Sequence, residues 1–233
     1  SAVFDRQKPE LADLEDAFSQ TGVKSCTILE RGGLRIGVFG ILGKDAIEVS
    51  PFAKPLKFRD PIETARDMVN ILRNREKADL VVCLSHGGLR DNPKKSEDEI
   101  LASEVKGIDV IVSGHTHTVL GKPIIVNDTI IVQAGSYGKQ VGVLDIAWES
   151  GRVTLKNYAL IPVNSSVAGD PKIQKMIDAF KQQLNTRLLG LQNLSYDRIV
   201  AETAWDLKLV AGESPLGNLL ADSIRWSVNR VSF

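Results

Sequence analysis

The sequence has little of what would tie it to a disulfide scaffold, a membrane or a polyanion. Only two of its 233 residues are cysteine, Cys26 and Cys83, which is too few to staple a fold. Cys83 lies inside the run Leu80-Val81-Val82-Cys83-Leu84, where a thiol reads as a small packed hydrophobe rather than a redox centre. No apolar run approaches the ~20 residues that span a bilayer, and Ser1-Ala2-Val3-Phe4 lacks a secretory-signal pattern. The sequence opens without Met and is expected to be a processed chain or a domain cut from a longer one. An excess of either charge is missing too: 29 Lys and Arg stand against 29 Asp and Glu. That balance removes long-range attraction to nucleic acid or an anionic surface, so any phosphate recognition must be local. Internal repeats and low-complexity tracts are absent as well.

What is present is apolar content of 43%, enough for a sizeable core in one large domain or one and a half ordinary ones. The order of patterns is informative. A weak helical stretch carries Leu11, Leu14, Ala17 and Phe18 on one side, followed by a strand at Cys26 to Glu30. Gly32-Gly33 reads as a turn into a buried strand over Leu34 to Ile41. Residues 43–59, broken by Pro51 and Pro55, are expected to be loop. Asp60, Pro61 and Glu63 then spell a helix start, with Ile62, Ala65, Val69 and Leu72 as its apolar side. Asp79 to Leu84 and Ile108 to Val112 are short β-branched strands; between them Ser96 with Glu99 predicts a capping box for a short helix. Four strands follow, at Pro123 to Val126, Thr129 to Gln133, Val141 to Trp148 and Val153 to Leu160, in an antiparallel portion. Asp170-Pro171 opens a long helix with Ile173, Ile177, Phe180, Leu184 and Leu188 in its stripe, ending near Gly190. The remainder predicts one strand around Arg198 to Trp205 and one helix from Ser214-Pro215 through Ile224, which alone cannot bury a core. Trp205 and Trp226 read as core or interdomain packing residues.

The three histidines, His86, His115 and His117, all sit in glycine-bearing loops directly after predicted strands, where an α/β protein keeps its ligand chemistry. Alone, each is most simply a hydrogen-bonded loop residue. Together they read as a metal cluster. In an extended segment residues 115 and 117 leave on one face, so both could bind one ion, or each a different ion of a close pair. Imidazoles mixed with carboxylates suit Zn²⁺, Mn²⁺ or Fe.

Three stretches carry a resemblance. Ser85-His86-Gly87-Gly88, then Gly107 through Thr118 with Ser113-Gly114-His115-Thr116-His117, then Val132-Gln133-Ala134-Gly135-Ser136-Tyr137-Gly138, resemble the calcineurin-like metallophosphoesterase domain of the bacterial 5′-nucleotidase and 2′,3′-cyclic-nucleotide phosphodiesterase family. Glu213-Ser214-Pro215-Leu216-Gly217-Asn218-Leu219-Leu220-Ala221-Asp222 resembles the opening of that family's C-terminal domain. The resemblance implies an α/β fold: the C-terminal half of a four-layer α/β/β/α metallophosphoesterase sandwich over residues 1–162, a linker with a long helix over 163–195, and the beginning of a second α+β domain over 196–233. It implies two divalent metal ions (Mn, Zn or Fe) in the intact enzyme, with His86 and His115 on one and His117 on the other. A nucleotide or other phosphate ester is the implied substrate, and export to the periplasm or cell surface is implied as well; no nucleic acid polymer is expected as a partner. The family's Asp-x-His, Gly-Asp and Asn-His-Glu motifs have no counterpart between Ser1 and Gly33. The chain is therefore expected to be the middle of a longer phosphoesterase, inactive alone and prone to self-association through exposed sheet surface. Two other readings remain open: a mononuclear or non-catalytic metal-binding domain, and a sulfur-oxidising dimanganese hydrolase of the same superfamily.

Overall fold

The β-branched runs become strands in the computed structural model, which describes residues 2–3, 9–54, 56–208, 210 and 212–228. A two-residue strand, β1 (Ala2–Val3), precedes helix α1 (Pro9–Gln20). β2 (Cys26–Arg31) turns through Gly32 and Gly33, both at positive φ (56° and 81°), into β3 (Leu34–Leu42). After β3 the stretch expected as loop contains a short helix, α2 (Lys44–Glu48), a 3₁₀ turn at Pro51–Ala53, and β4 (Lys57–Phe58), which pairs with β1. The reason α2 escapes a local reading is that its first N–H groups are satisfied from far away, by the Glu97 carboxylate.

α3 (Pro61–Asn70) starts as expected: the Asp60 carboxylate accepts from the N–H groups of Ile62 and Glu63. It runs on as a π-helical turn over Ile71–Arg75, in which Leu72 is fully buried. β5 (Leu80–His86), α4 (Glu97–Glu104) and β6 (Val110–Ser113) follow. Ser96 occupies the cap position of α4, but its buried hydroxyl has no hydrogen-bond partner among the described residues, so the expected capping box does not form.

β7 (Ile124–Val126) and β8 (Thr129–Val132) form a hairpin, and β8 re-enters the main sheet parallel to β6. The six-stranded sheet has the order β2-β3-β5-β6-β8-β7; β3, β5, β6 and β8 are parallel and both edge strands antiparallel. The fold is thus mixed α/β, with the antiparallel part shared between the sheet edges and a separate ribbon of β9 (Gln140–Glu149) and β10 (Arg152–Pro162). Trp148 Nε1 donates to the Asp79 carbonyl, anchoring that ribbon beside the start of β5.

Core residues from α3, α4 and the sheet pack together, including Phe39, Leu72, Val81, Cys83, Val105, Ile111 and Ile131. Cys83 is the packed hydrophobe expected, and burial pushes its thiol far above the ordinary range. On the opposite face Leu84 and Val112, partners in register, stay 51% and 42% exposed.

These elements make one of two compact units, Ser1–Val167; the other is Ala168–Phe233. In the second unit Asp170 caps α5 (Pro171–Leu184) through the N–H groups of Lys172 and Ile173, a π-helical turn extends it to Leu189, and α6 (Pro215–Val228) follows. The strand expected at Arg198 to Trp205 does not form; the segment is irregular, and among the described residues no neighbouring strand pairs with it. The apolar stripe of α5 is exposed at Ile173 and Phe180, and Trp205 and Trp226 are 66% and 59% exposed rather than core residues. Among the described residues no helix is long and apolar enough to cross a membrane.

Candidate functional site

Parallel pairing puts the ends of β5 and β6 side by side. Ser85 is opposite Ser113, so the residues that follow each strand emerge together at the carboxyl edge of the sheet. His86 ends β5 and is solvent-exposed; Gly87 and Gly88 turn the chain away, Gly88 at φ 91°. Beyond β6, Gly114 leads into His115 and His117. The His86 and His115 rings lie 5.0 Å apart, centroid to centroid, tilted by 57°. Gly114 makes that approach possible, because a Cβ there would sit 3.1 Å from His86 Nδ1.

The two residues of the H-x-H pair do not share a face. Both are in the left-handed region, at φ 68° for His115 and 57° for His117, so the alternation of an extended chain does not apply. His117 turns away to meet Tyr137 edge-on, at 5.2 Å between ring centroids. Tyr137 is itself left-handed, at φ 59°, and 82% exposed. Three bulky side chains in this strained conformation in one loop cluster is the kind of backbone that folds hold at functional sites.

A polar web underlies these loops. Thr116 Oγ1 accepts from the Leu89 N–H at 3.0 Å and meets Thr118 Oγ1 at 3.0 Å, tying the two histidine loops together. Gln133, 2% exposed, donates to the Gly114 carbonyl and accepts from Thr116.

Sequence reasoning missed two members of the cluster. Asp45, on α2, places Oδ2 2.9 Å from His115 Nε2, and the same oxygen accepts from Arg90 Nη2 at 2.6 Å. The hydrogen bond from His115, helped by the charge of Arg90, holds the Asp45 carboxyl below its ordinary range. Neither residue stands in a recognisable motif; only the distant cap on α2 brings Asp45 to the site.

The chemistry of this donor set is partial. His86, His115 and Asp45 form the densest part, yet Asp45 is already committed to Arg90, and His117 lies with Tyr137. Among the described residues no three His, Cys, Asp or Glu side chains converge to hold a metal ion. These residues do not by themselves fit a divalent centre, whose charge needs carboxylate donors that three neutral imidazoles cannot replace.

Residues 12–119 match the family model of the calcineurin-like phosphoesterases. The chain is similar to the trifunctional nucleotide phosphoesterase protein YfkN of Bacillus subtilis, with 29% identity over 88% of this chain and 14% of the relative. It is also similar to the 5′-nucleotidase of Diplobatis ommata, with 32% identity over 69% of this chain and 30% of the relative. The chain therefore spans less than a third of the length of either. Among solved structures, a 5′-nucleotidase precursor from Thermus thermophilus superposes with a TM-score of 0.70 at 27% identity, covering 88% of this chain and 42% of that one. The sulfate thiohydrolase SoxB of Thermus thermophilus superposes with a TM-score of 0.59 at 27% identity, over 70% of this chain and 29% of that one.

Proposed function

Since the chain carries a calcineurin-like metallophosphoesterase domain homologous to bacterial 5′-nucleotidases over part of their length, we propose that it serves the hydrolysis of nucleotide phosphate esters. In this reading His86 and His115 are donors to one divalent ion and His117 to a second. The observation that carries it is the meeting of His86 and His115 at the aligned ends of β5 and β6, with a carboxylate on the His115 Nε2 atom. The chain's own contribution is ligand presentation: the parallel strands fix where the imidazoles emerge, and Asp45 orients the His115 ring.

The described donors do not complete a centre, so the chain alone is expected to be inactive, with the remaining carboxylate and amide donors supplied from outside it. Substrates are of the 5′-nucleotide or 2′,3′-cyclic nucleotide type, and export to the periplasm or cell surface belongs to the same proposal. The likeness to the sulfate thiohydrolase favours a second reading, in which the ester cleaved is a sulfate rather than a phosphate.

The test is a nitrophenyl-phosphate assay with MnCl₂, run beside a full-length 5′-nucleotidase, together with metal analysis of the chain. Turnover matching the full-length enzyme would contradict the incomplete-centre reading. A metal content unchanged by His86→Ala and His115→Ala would contradict the ligand assignment.

A further inference from the structure

Glu97 and Asp98 open α4, and neither carboxylate serves the N–H groups of its own helix. Asp98, 1% exposed, accepts the Ser85 hydroxyl at 2.5 Å with Oδ1 and the Gly88 N–H at 3.1 Å with Oδ2. Ser85 in turn accepts from the Gly87 N–H at 3.1 Å. One buried carboxylate thus grips both sides of His86. Glu97 acts on the other wall: its two oxygens accept from the N–H groups of Lys44 at 2.7 Å and Asp45 at 2.8 Å, and Asp45 meets His115 Nε2. The backbone is cut to fit this node. A Cβ on Gly43 would lie 2.4 Å from Gly87 Cα and 2.5 Å from Glu97 Oε2, and one on Gly87 would lie 2.9 Å from Asp98 Oδ1.

We propose that Glu97 and Asp98 are a positioning pair: Asp98 fixes the His86 loop at the end of β5, and Glu97 sets Asp45 against His115, so that one helix start aligns the two imidazoles. The inference rests on the reading of His86 and His115 as functional side chains. Acids at a helix start ordinarily face their own N–H groups; a buried carboxylate spent on two histidine-bearing strand ends indicates another duty.

With only three histidines in the chain, imidazole ¹H–¹⁵N spectra of the metal-free protein give one spin system per residue. Asp98→Asn keeps the shape but replaces one of the two acceptor oxygens with an NH₂ donor, so the Ser85 hydroxyl and the Gly88 N–H no longer both find an acceptor. The expected result is displaced His86 and His115 ring signals and about tenfold faster exchange of the Gly88 amide, as for loss of one hydrogen bond. Glu97→Gln, which keeps one acceptor oxygen of two, should displace the His115 signals and speed exchange at one of the Lys44 and Asp45 amides, with His117 unmoved in both variants. Should Asp98→Asn not fold, Ser85→Ala, which removes the hydroxyl's bonds to Asp98 and to the Gly87 N–H but leaves Asp98 on Gly88, must still displace the His86 signals. Ring signals at wild-type positions in these variants, or three histidines moving together, overturn the proposal. Adding MnCl₂ to the wild type separates the two ideas: displacement in the variants without broadening of the wild-type His86 and His115 signals upholds the positioning pair and rejects the ligand assignment.

Discussion

Gly88→Ala is the sharpest perturbation of the loop architecture. Gly88 sits at φ 91°, and a Cβ there would stand 2.4 Å from Thr116 Cγ2, 2.9 Å from its Oγ1 and 3.1 Å from its Cβ. Two costs follow. Holding an L-residue in the left-handed region costs about 1–2 kcal/mol, and forcing a methyl into a packed contact costs about 1–3 kcal/mol. Thr116 cannot retreat freely, because its hydroxyl accepts from Leu89 and bonds to Gln133. The expected loss is therefore about 2–5 kcal/mol, large beside ordinary surface changes. Urea unfolding followed by far-UV circular dichroism reads it directly. Thr116→Ser removes the closest clashing atom, Cγ2, so the double variant should recover part of the overpacking share and keep the backbone share, a coupling that a double-mutant cycle isolates. A Gly88→Ala variant within about 0.5 kcal/mol of wild type, or a double variant no better than the single, would refute the reasoning.

The core and its charges give further expectations. Leu72→Ala, at a fully buried position packed over Gly37, should cost about 2–5 kcal/mol in the same unfolding assay. Burial raises the Asp109 carboxyl above its ordinary 3.8, against the pull of the Val81 N–H and Arg73. The native state then holds a proton that the unfolded chain has released, so this group's contribution to stability falls as pH rises from about 4 through the raised value. The wild-type-minus-Asp109→Asn difference in unfolding free energy should decline across that window; a difference that rises with pH would show that ion pairing with Arg73 outweighs burial.

Much of the framework was legible because it depends on neighbours in sequence. The β-branched runs became β5 and β6, Asp60-Pro61 capped α3, and the histidines fell at carboxyl ends of parallel strands, where the crossover geometry brings loops together. What escaped depends on distant partners. α2 forms because Glu97 satisfies its first N–H groups, and that same cap brings Asp45 to His115. The shared face expected of His115 and His117 rested on an extended chain, which their positive φ values rule out. Arg198 to Trp205 has strand composition but no strand beside it among the described residues, and β-propensity without a neighbour does not make a sheet.

We propose His86 and His115 as donors in a divalent-metal phosphoesterase centre that this chain supplies in part. Equilibrium dialysis against MnCl₂ tests it most directly. The expected result is fewer than two ions retained per chain, and loss of what is retained in His86→Ala and His115→Ala. Two tightly held ions per chain, or retention that neither substitution changes, would contradict it.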